Sequence, residues 1–452
     1  MRLHGASVVL RPPRIGDFAE WRCIRLRDQR LIEPFWTSSP LSWPERHTGK
    51  LWVREVFDAR SDARTGRRLG AVIEVDGRFA GQIELGSLSA GTGELGIWVD
   101  ATLARHGVGG LAVAMMLDFG FQVAGLHRIT APISPANHGT SAGAAALGLR
   151  REARMARYFD AGGQRRDHDL WAILASDLPA GGATEGWLTR HTEGAPMPQG
   201  TPEPAATLSH WSIAVAVGRY YAGRVRHLLD PLRAADRVRL TDPAHPEVVL
   251  RTRRWSDRTQ WSRLTAPTGH RAPLPARWLR PTAPGADTRR SERTAAQTRP
   301  HRTRTIPRWS RPTLGVAAGP PSGSAHWIRE FLCARAGLSS PAGLVLAVEL
   351  DGNYIGEARL FGLDMFDRNA HLNVWTHPPR PRVRETVQRL LIAYGFDTLG
   401  LRRIATEIAP ADAVSAEIAT RVGMLREGRM RDHTGPTGHR ADHDLWAITR
   451  PE

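Results

Sequence analysis

Apolar positions along the first 177 residues follow two periods. "SVVLRPP" alternates and stops at proline, which predicts an edge strand. "IGDFAEWRCIRLRD" and "TGKLWVREVFDAR" carry apolar residues at helical spacing. "GAVIEVDGRFAGQIEL" reads as two strands joined by an Asp-Gly turn, a strong hairpin signal, and "GELGIWVD" as another strand. "GVGGLAVAMMLDFGFQVAG" predicts a helix opened by glycines, "HRITAPIS" a strand and "NHGTSAGAAALGL" a helix. "RREARMARYF" and "RDHDLWAIL" form a closing antiparallel pair. The expected fold class is α/β in the α+β sense: a mixed, mostly antiparallel sheet flanked by helices.

The pattern then returns. "LWVREVFDAR" at 51–60 recurs as "HWIREFLCAR" at 326–335, and "IEVDGRFAGQIEL" at 73–85 as "VELDGNYIGEARL" at 348–360. "FGFQVAGLHRI" at 119–129 recurs as "YGFDTLGLRRI" at 394–404, and "DHDLWAI" at 167–173 is unchanged at 442–448. The offset between copies is 240 at the start and 275 later, rising to 277 only at the tryptophan strand (Trp98 to Trp375). The same order of blocks in both halves identifies a tandem duplication. The expected domains are 1–177, a Pro/Gly-rich linker at 178–207, and 208–452, the last with a disordered Arg/Pro-rich insert at about 267–323.

Composition narrows the class. With 41% hydrophobic and 24% charged residues the chain is of soluble globular type. No apolar run approaches the roughly 18 residues of a membrane span, and the N-terminus lacks a signal-peptide core, so a cytoplasmic protein with no membrane partner is expected. Cys23 and Cys333 form neither a disulfide framework nor a cysteine metal site. The +17 charge is carried by arginine, Lys50 being the single lysine. Residues 281–312 hold eight arginines against Asp287 and Glu292, a net of +6 suited to a weak RNA contact or simply to a solvated insert. The adjacent His168 and Asp169 of "RDHDLW" point to opposite faces of a strand, so no metal is expected there.

The chemistry candidate is "RHGVGG" at 105–110, lying between "ELGIWVD" and a helical pattern. Gly107, Gly109 and Gly110 lack Cβ atoms, so backbone amides there can converge on phosphate oxygens at a helix N-terminus. Together with "PANHGT…LGLRRE" and the terminal "DLWAI", this order resembles the GNAT acetyltransferase superfamily, and within it the RimJ/RimL-type ribosomal-protein N-terminal acetyltransferases. The likeness covers nearly all of 1–175, and 246–266 with 325–450 more weakly.

The resemblance implies two GNAT-like domains and acetyl-CoA as cosubstrate, without a metal. It implies that Arg105, His106, Gly107, Val108, Gly109 and Gly110 seat the pyrophosphate. The family's Gln/Arg-x-x-Gly-x-Gly/Ala pattern puts its first position on Ala104, a departure, with Arg105 one place later. Ile97 and Val99 correspond to the strand whose main chain pairs with pantetheine, and Glu94 to a strand carboxylate able to act as general base. "NHGT" matches Asn-x-x-Ser, making Asn137 a pantetheine contact as well as a helix cap and Thr140 a hydroxyl donor near the CoA sulfur. In the second copy Arg384 and Thr386 stand at the positions of Gly107 and Gly109, His371 at Glu94, Asp412 at Asn137 and Ser415 at Thr140. That copy is therefore expected to keep the fold and lose the cosubstrate. The implied acceptor is the N-terminal amine of a protein, with ribosomal proteins the first candidates. A small-molecule amine acetyltransferase and a non-catalytic adaptor are the alternatives.

Overall fold

The structure is a computed structural model that describes residues 1–161, 164–191, 207–229, 238–265, 343–364, 367–435 and 438–451, with a few isolated positions besides. The arginine-rich insert lies outside the described residues. The first copy supplies β1 (Arg2–Leu3), β2 (Ala6–Arg11), β3 (Leu69–Val75), β4 (Arg78–Ser89), β5 (Thr92–Val99), β6 (Arg128–Ile133), β7 (Arg150–Ala161) and β8 (Gln164–Leu174). The second supplies β9 (Arg239–Asp242), β10 (His245–Thr252), β11 (Leu344–Leu350), β12 (Asn353–Asp364), β13 (Asn369–Thr376), β14 (Arg403–Ile408), β15 (Leu425–Thr434) and β16 (Arg440–Thr449). The helices of more than one turn are α1 (Phe18–Arg27), α2 (Gly49–Thr65), α3 (Val108–Asp118), α4 (His138–Ala146), α5 (Gly182–Arg190), α6 (His210–Leu229), α7 (Arg258–Thr265), α8 (Pro381–Ala393) and α9 (Ala413–Arg421). None of the described helices is long and apolar enough to cross a membrane.

Both hairpins turn where Asp-Gly predicted. Asp76 and Gly77, like Asp351 and Gly352, have positive φ, as a tight two-residue turn requires. Within each copy all neighbours are antiparallel except β5 with β6 and β13 with β14. Alternation along the strands divides two cores. Leu69, Ala71, Ile73 and Val75 face α3, while Val72, Phe79 and Trp98 join α1 and α2 on the other side.

The copies share one sheet of sixteen strands, ordered β1-β2-β3-β4-β5-β6-β8-β7 and then β15-β16-β14-β13-β12-β11-β10-β9. The junction pairs Ala153 with Gly428, which are each other's counterparts, so a pseudo-two-fold axis runs through them. A Cβ on Gly428 would meet the Glu152 carbonyl at 2.2 Å, so the strands approach this closely only because that residue is glycine. Two equivalent ion pairs flank the axis: Arg128–Glu152 and Arg403–Glu427, each at 2.5 Å and each nearly solvent-free. Each arginine also donates across it, Arg128 to the Arg431 carbonyl and Arg403 to that of Ala156. Ala153, Met155 and Leu170 meet Met430, Leu445 and Ala447 in a small shared core.

Two segments depart from the expected boundaries. Residues 182–190, placed in the linker, form α5 and dock on α3. Asp118 accepts the free amides of Ala183 and Thr184 at 2.7 and 2.9 Å, and Trp187 is buried. The Gly-rich flanks concealed this helix, whose docking rests chiefly on one tryptophan. Helix α6, placed in the second copy, lies instead on α2 of the first, with Tyr220 5.4 Å from the ring of Phe57.

Candidate active site

Strands β5 and β6 pair only from Thr92↔Arg128 to Glu94↔Thr130 and then part, while β5 stays bound to β4 as far as Val99. Among the described residues the main chain of 95–99 thus has no strand partner on its β6 side, which is where an amide-bearing ligand can add itself. Helices α3 and α4 aim their N-termini at this opening. The first intrahelical bond of α3 runs from Leu111 to Gly107, so the amides of Val108, Gly109 and Gly110 precede it and stand at the positive end of the helix. Asn137 caps α4, its Oδ1 accepting from the Thr140 amide at 3.2 Å, and Thr140 is exposed.

Glu94, Ile97, Val99, Gly109, Gly110, Asn137 and Thr140 line one cleft. The other sequence candidates lie elsewhere. Arg105 is exposed, with φ +66, and the side chain of Val108 is fully buried in the α3 core, leaving only its amide near the opening. His106 turns its Nδ1 to the Ala104 carbonyl at 2.9 Å. Gly107 caps α3 at φ +77.

The three glycines have different reasons to be glycine. Gly107 needs its left-handed backbone. A Cβ on Gly110 would lie 2.1 Å from the Trp187 ring, so that position is dictated by the close approach of α5. Gly110→Ala is expected to cost about 1–3 kcal/mol in urea unfolding. In a Trp187→Ala background the added cost should vanish, and its persistence would refute the packing origin. Gly109 faces the cleft, where a Cβ would make only ordinary contact with Val99 Cγ2 at 3.5 Å.

The second copy shows what Gly109 keeps open. Both copies end this helix in a π-turn, Phe119–Val123 and Tyr394–Thr398, which fixes the register. Counting back, Arg384 corresponds to Gly109, Glu385 to Gly110 and Arg382 to Gly107, a shift of two residues from the sequence alignment. The two-residue deletion lies in the loop before the helix, where a sequence alone does not locate it. Arg384 Nη2 donates to Ser415 Oγ at 2.8 Å, and Ser415 donates to Asp412 Oδ2 at 2.6 Å. Ser415 is the counterpart of Thr140, so an arginine side chain spans the gap between α8 and α9 that is open between α3 and α4. At the Glu94 position, His371 pairs with Glu407 at 2.6 Å. Burial works against the charged imidazole, but Glu407 outweighs it and raises His371, while the carboxyl of Glu407 is held down at about 2 despite its own burial.

The first copy thus offers a cleft lined by the free N-terminal amides of α3, an unpaired strand edge and the Glu94 carboxylate. Among the described residues no group of three or more His, Cys, Asp or Glu is placed to hold a metal. The acetyltransferase (GNAT) domain model matches residues 7–150 and again 288–425, more than half of the chain. "Putative ribosomal N-acetyltransferase YdaF" of Bacillus subtilis is 28% identical over 112 residues, which is 24% of this chain and 61% of that protein. The chain therefore spans about three fifths of YdaF's length. "Probable N-acetyltransferase YjcK" of the same organism is 23% identical over 39% of this chain and 98% of its own length. Among solved structures, Mycobacterium smegmatis RimJ in complex with CoA-disulfide is 37% identical and covers 40% of this chain and 88% of that chain, with a TM-score of 0.40. With the domain matched twice along its length, the chain belongs to the GNAT acetyltransferase family.

Proposed function

We propose that the first copy transfers an acetyl group from acetyl-CoA to a primary amine and that the second copy is a non-catalytic partner. The carrying observation is the contrast at one position: Gly109 leaves the slot open, and Arg384 crosses it to Ser415. In this reading the amides of Gly107 to Gly110 hold the diphosphate, Arg105 and His106 belong to the turn that leads into them, and the main chain of Ile97 and Val99 pairs with pantetheine. Asn137 holds the end of α4 against it. The acceptor nitrogen attacks the thioester carbonyl; the C–N bond forms, the C–S bond breaks, and the thiolate accepts a hydrogen bond from Thr140. Glu94 takes the proton that leaves the amine, directly or through water.

The favoured acceptor is a protein N-terminus. YdaF bears a ribosomal N-acetyltransferase's name, which supports a ribosomal acceptor. An α-amine has a pKa near 8, so roughly a tenth is already neutral at pH 7 and the base has most to do below that pH. Glu94→Gln is expected to slow acetylation of an Ala- or Ser-starting peptide about tenfold or more at pH 6.5, with the deficit shrinking above pH 8. A loss equal at every pH would assign Glu94 to positioning instead. The first test is acetyl-CoA turnover with such peptides beside small amines. Absence of both binding and turnover would leave the adaptor reading.

A further inference from the structure

Acetyl transfer leaves one group of cations in the first copy without a task. Arg25, on the inner side of α1, is 2% exposed. Its guanidinium carbon sits 4.0 Å from the Trp36 ring, 4.7 Å from Trp43 and 4.9 Å from Trp98. Nε donates to His47 Nε2 at 2.9 Å, while Nη1 is buried with no hydrogen-bond partner. His47 brings no charge. Its Nδ1 donates to the Trp43 carbonyl at 2.5 Å, and burial holds its pKa down at about 4. Arg46 stands 5.1 Å from the Trp43 ring and donates to the Thr37 carbonyl, and Arg22 donates to the His47 carbonyl. Among the described residues no carboxylate makes an ion pair with Arg22, Arg25 or Arg46, whereas Arg11, Arg27, Arg68 and Arg128 each hold one.

A guanidinium buried without a counter-charge is costly, and stacking on indoles returns only about 0.5–2 kcal/mol per ring. Burial, then the charge of Arg46, press the Arg25 pKa down to about 9; at Arg46 burial does the same, offset in part by Glu33. The indoles and His47 hold the guanidinium in place without neutralising it. Its place does suggest a ligand: Arg25, Arg46, Trp36, His47 and Trp98 line the cleft that contains Glu94. Trp98 and Glu94 share one face of β5, opposite to Ile97 and Val99, about 13 Å apart along the strand. The cluster also follows the open slot. The second copy has Ser262 and Thr265 where the first has Arg22 and Arg25, although Trp261 matches Trp21.

We infer that Arg25 and Arg46 form an oxyanion subsite for the acceptor, which therefore carries a carboxylate or phosphate within about 13 Å of the amine to be acetylated. This rests on the acetyl-transfer reading, of which it specifies the acceptor. The test uses the full chain saturated with CoA and calorimetric titration of two matched probe pairs. The first is Ala-Ala-Glu-Ala-amide against Ala-Ala-Gln-Ala-amide, and the second 6-aminohexyl phosphate against 6-aminohexanol. In at least one pair the anionic member should bind roughly tenfold tighter or better, the scale of a charge-assisted hydrogen bond. The pair that shows it identifies the source of the anion. That preference should collapse in Arg46→Ala, whose side chain is half-exposed, and in Arg25→Gln. Equal affinities, no binding by any probe, or a preference that survives both variants overturns the subsite. Turnover of the same probes separates the two readings. Preferential binding without acetylation removes acetyl transfer and keeps the subsite; acetylation of both members with equal kcat/KM does the reverse.

Discussion

Gly109→Arg is expected to weaken acetyl-CoA binding by at least a hundredfold while leaving the melting temperature within a few degrees of the parent. The substitution copies into the first domain what the second already carries. Space for it exists at the base, because a Cβ there meets only Val99 Cγ2 at 3.5 Å. The backbone is helical, and arginine is a better helix former than glycine. The long side chain then runs toward Thr140, as Arg384 runs to Ser415. Calorimetry on the full chain provides the measurement, with one equivalent of acetyl-CoA for the parent and none for the variant. Unchanged affinity would remove Gly109 from the donor site. Two equivalents for the parent would overturn the assignment of the second copy as closed.

Arg128→Ala carries the second large effect, expected at about 3–5 kcal/mol of unfolding free energy. The pair it breaks is 1% and 3% exposed at its two side chains, so alanine leaves the Glu152 carboxylate in the sheet junction with Arg431 Nε, at 3.0 Å, in place of two cations. It also removes the donor to the Arg431 carbonyl. Arg54→Ala is the control: its i,i+4 partner Asp58 stands with it on an open surface, and the change should cost under about 0.5 kcal/mol. Replacing Arg128 and Glu152 together by Met and Leu should cost less than Arg128→Ala alone. If Arg128→Ala unfolds in urea no earlier than Arg54→Ala, the junction does not depend on this pair.

The order of elements along a copy, both Asp-Gly hairpins, the duplication and the Asn137 cap were legible, because each depends on contacts close in sequence or on a period. The misses have physical causes. Trp187 docks its helix from a segment whose glycines and prolines read as linker. Arg384 was misaligned by two residues because a deletion in a loop has no hydrophobic period to locate it; the π-turn did. Arg25 drew no assignment from the sequence, although its spacing from Trp21 and Phe18 puts it on the buried face; that spacing was the available signal. The ends of β7 and β15 gave no sign that each would be the other's neighbour.

Ala153 faces its counterpart Gly428 within a single polypeptide. In a dimer of identical chains every change appears on both sides of the axis. Joining the halves in one polypeptide lifts that constraint, so one side can accept an arginine where the other keeps a glycine. The joint cleft is lined by unlike residues from its two halves, Glu94 and Gly109 from the first copy and His371 and Arg384 from the second. Such a cleft has a direction. A ligand laid along it meets a different surface in each half.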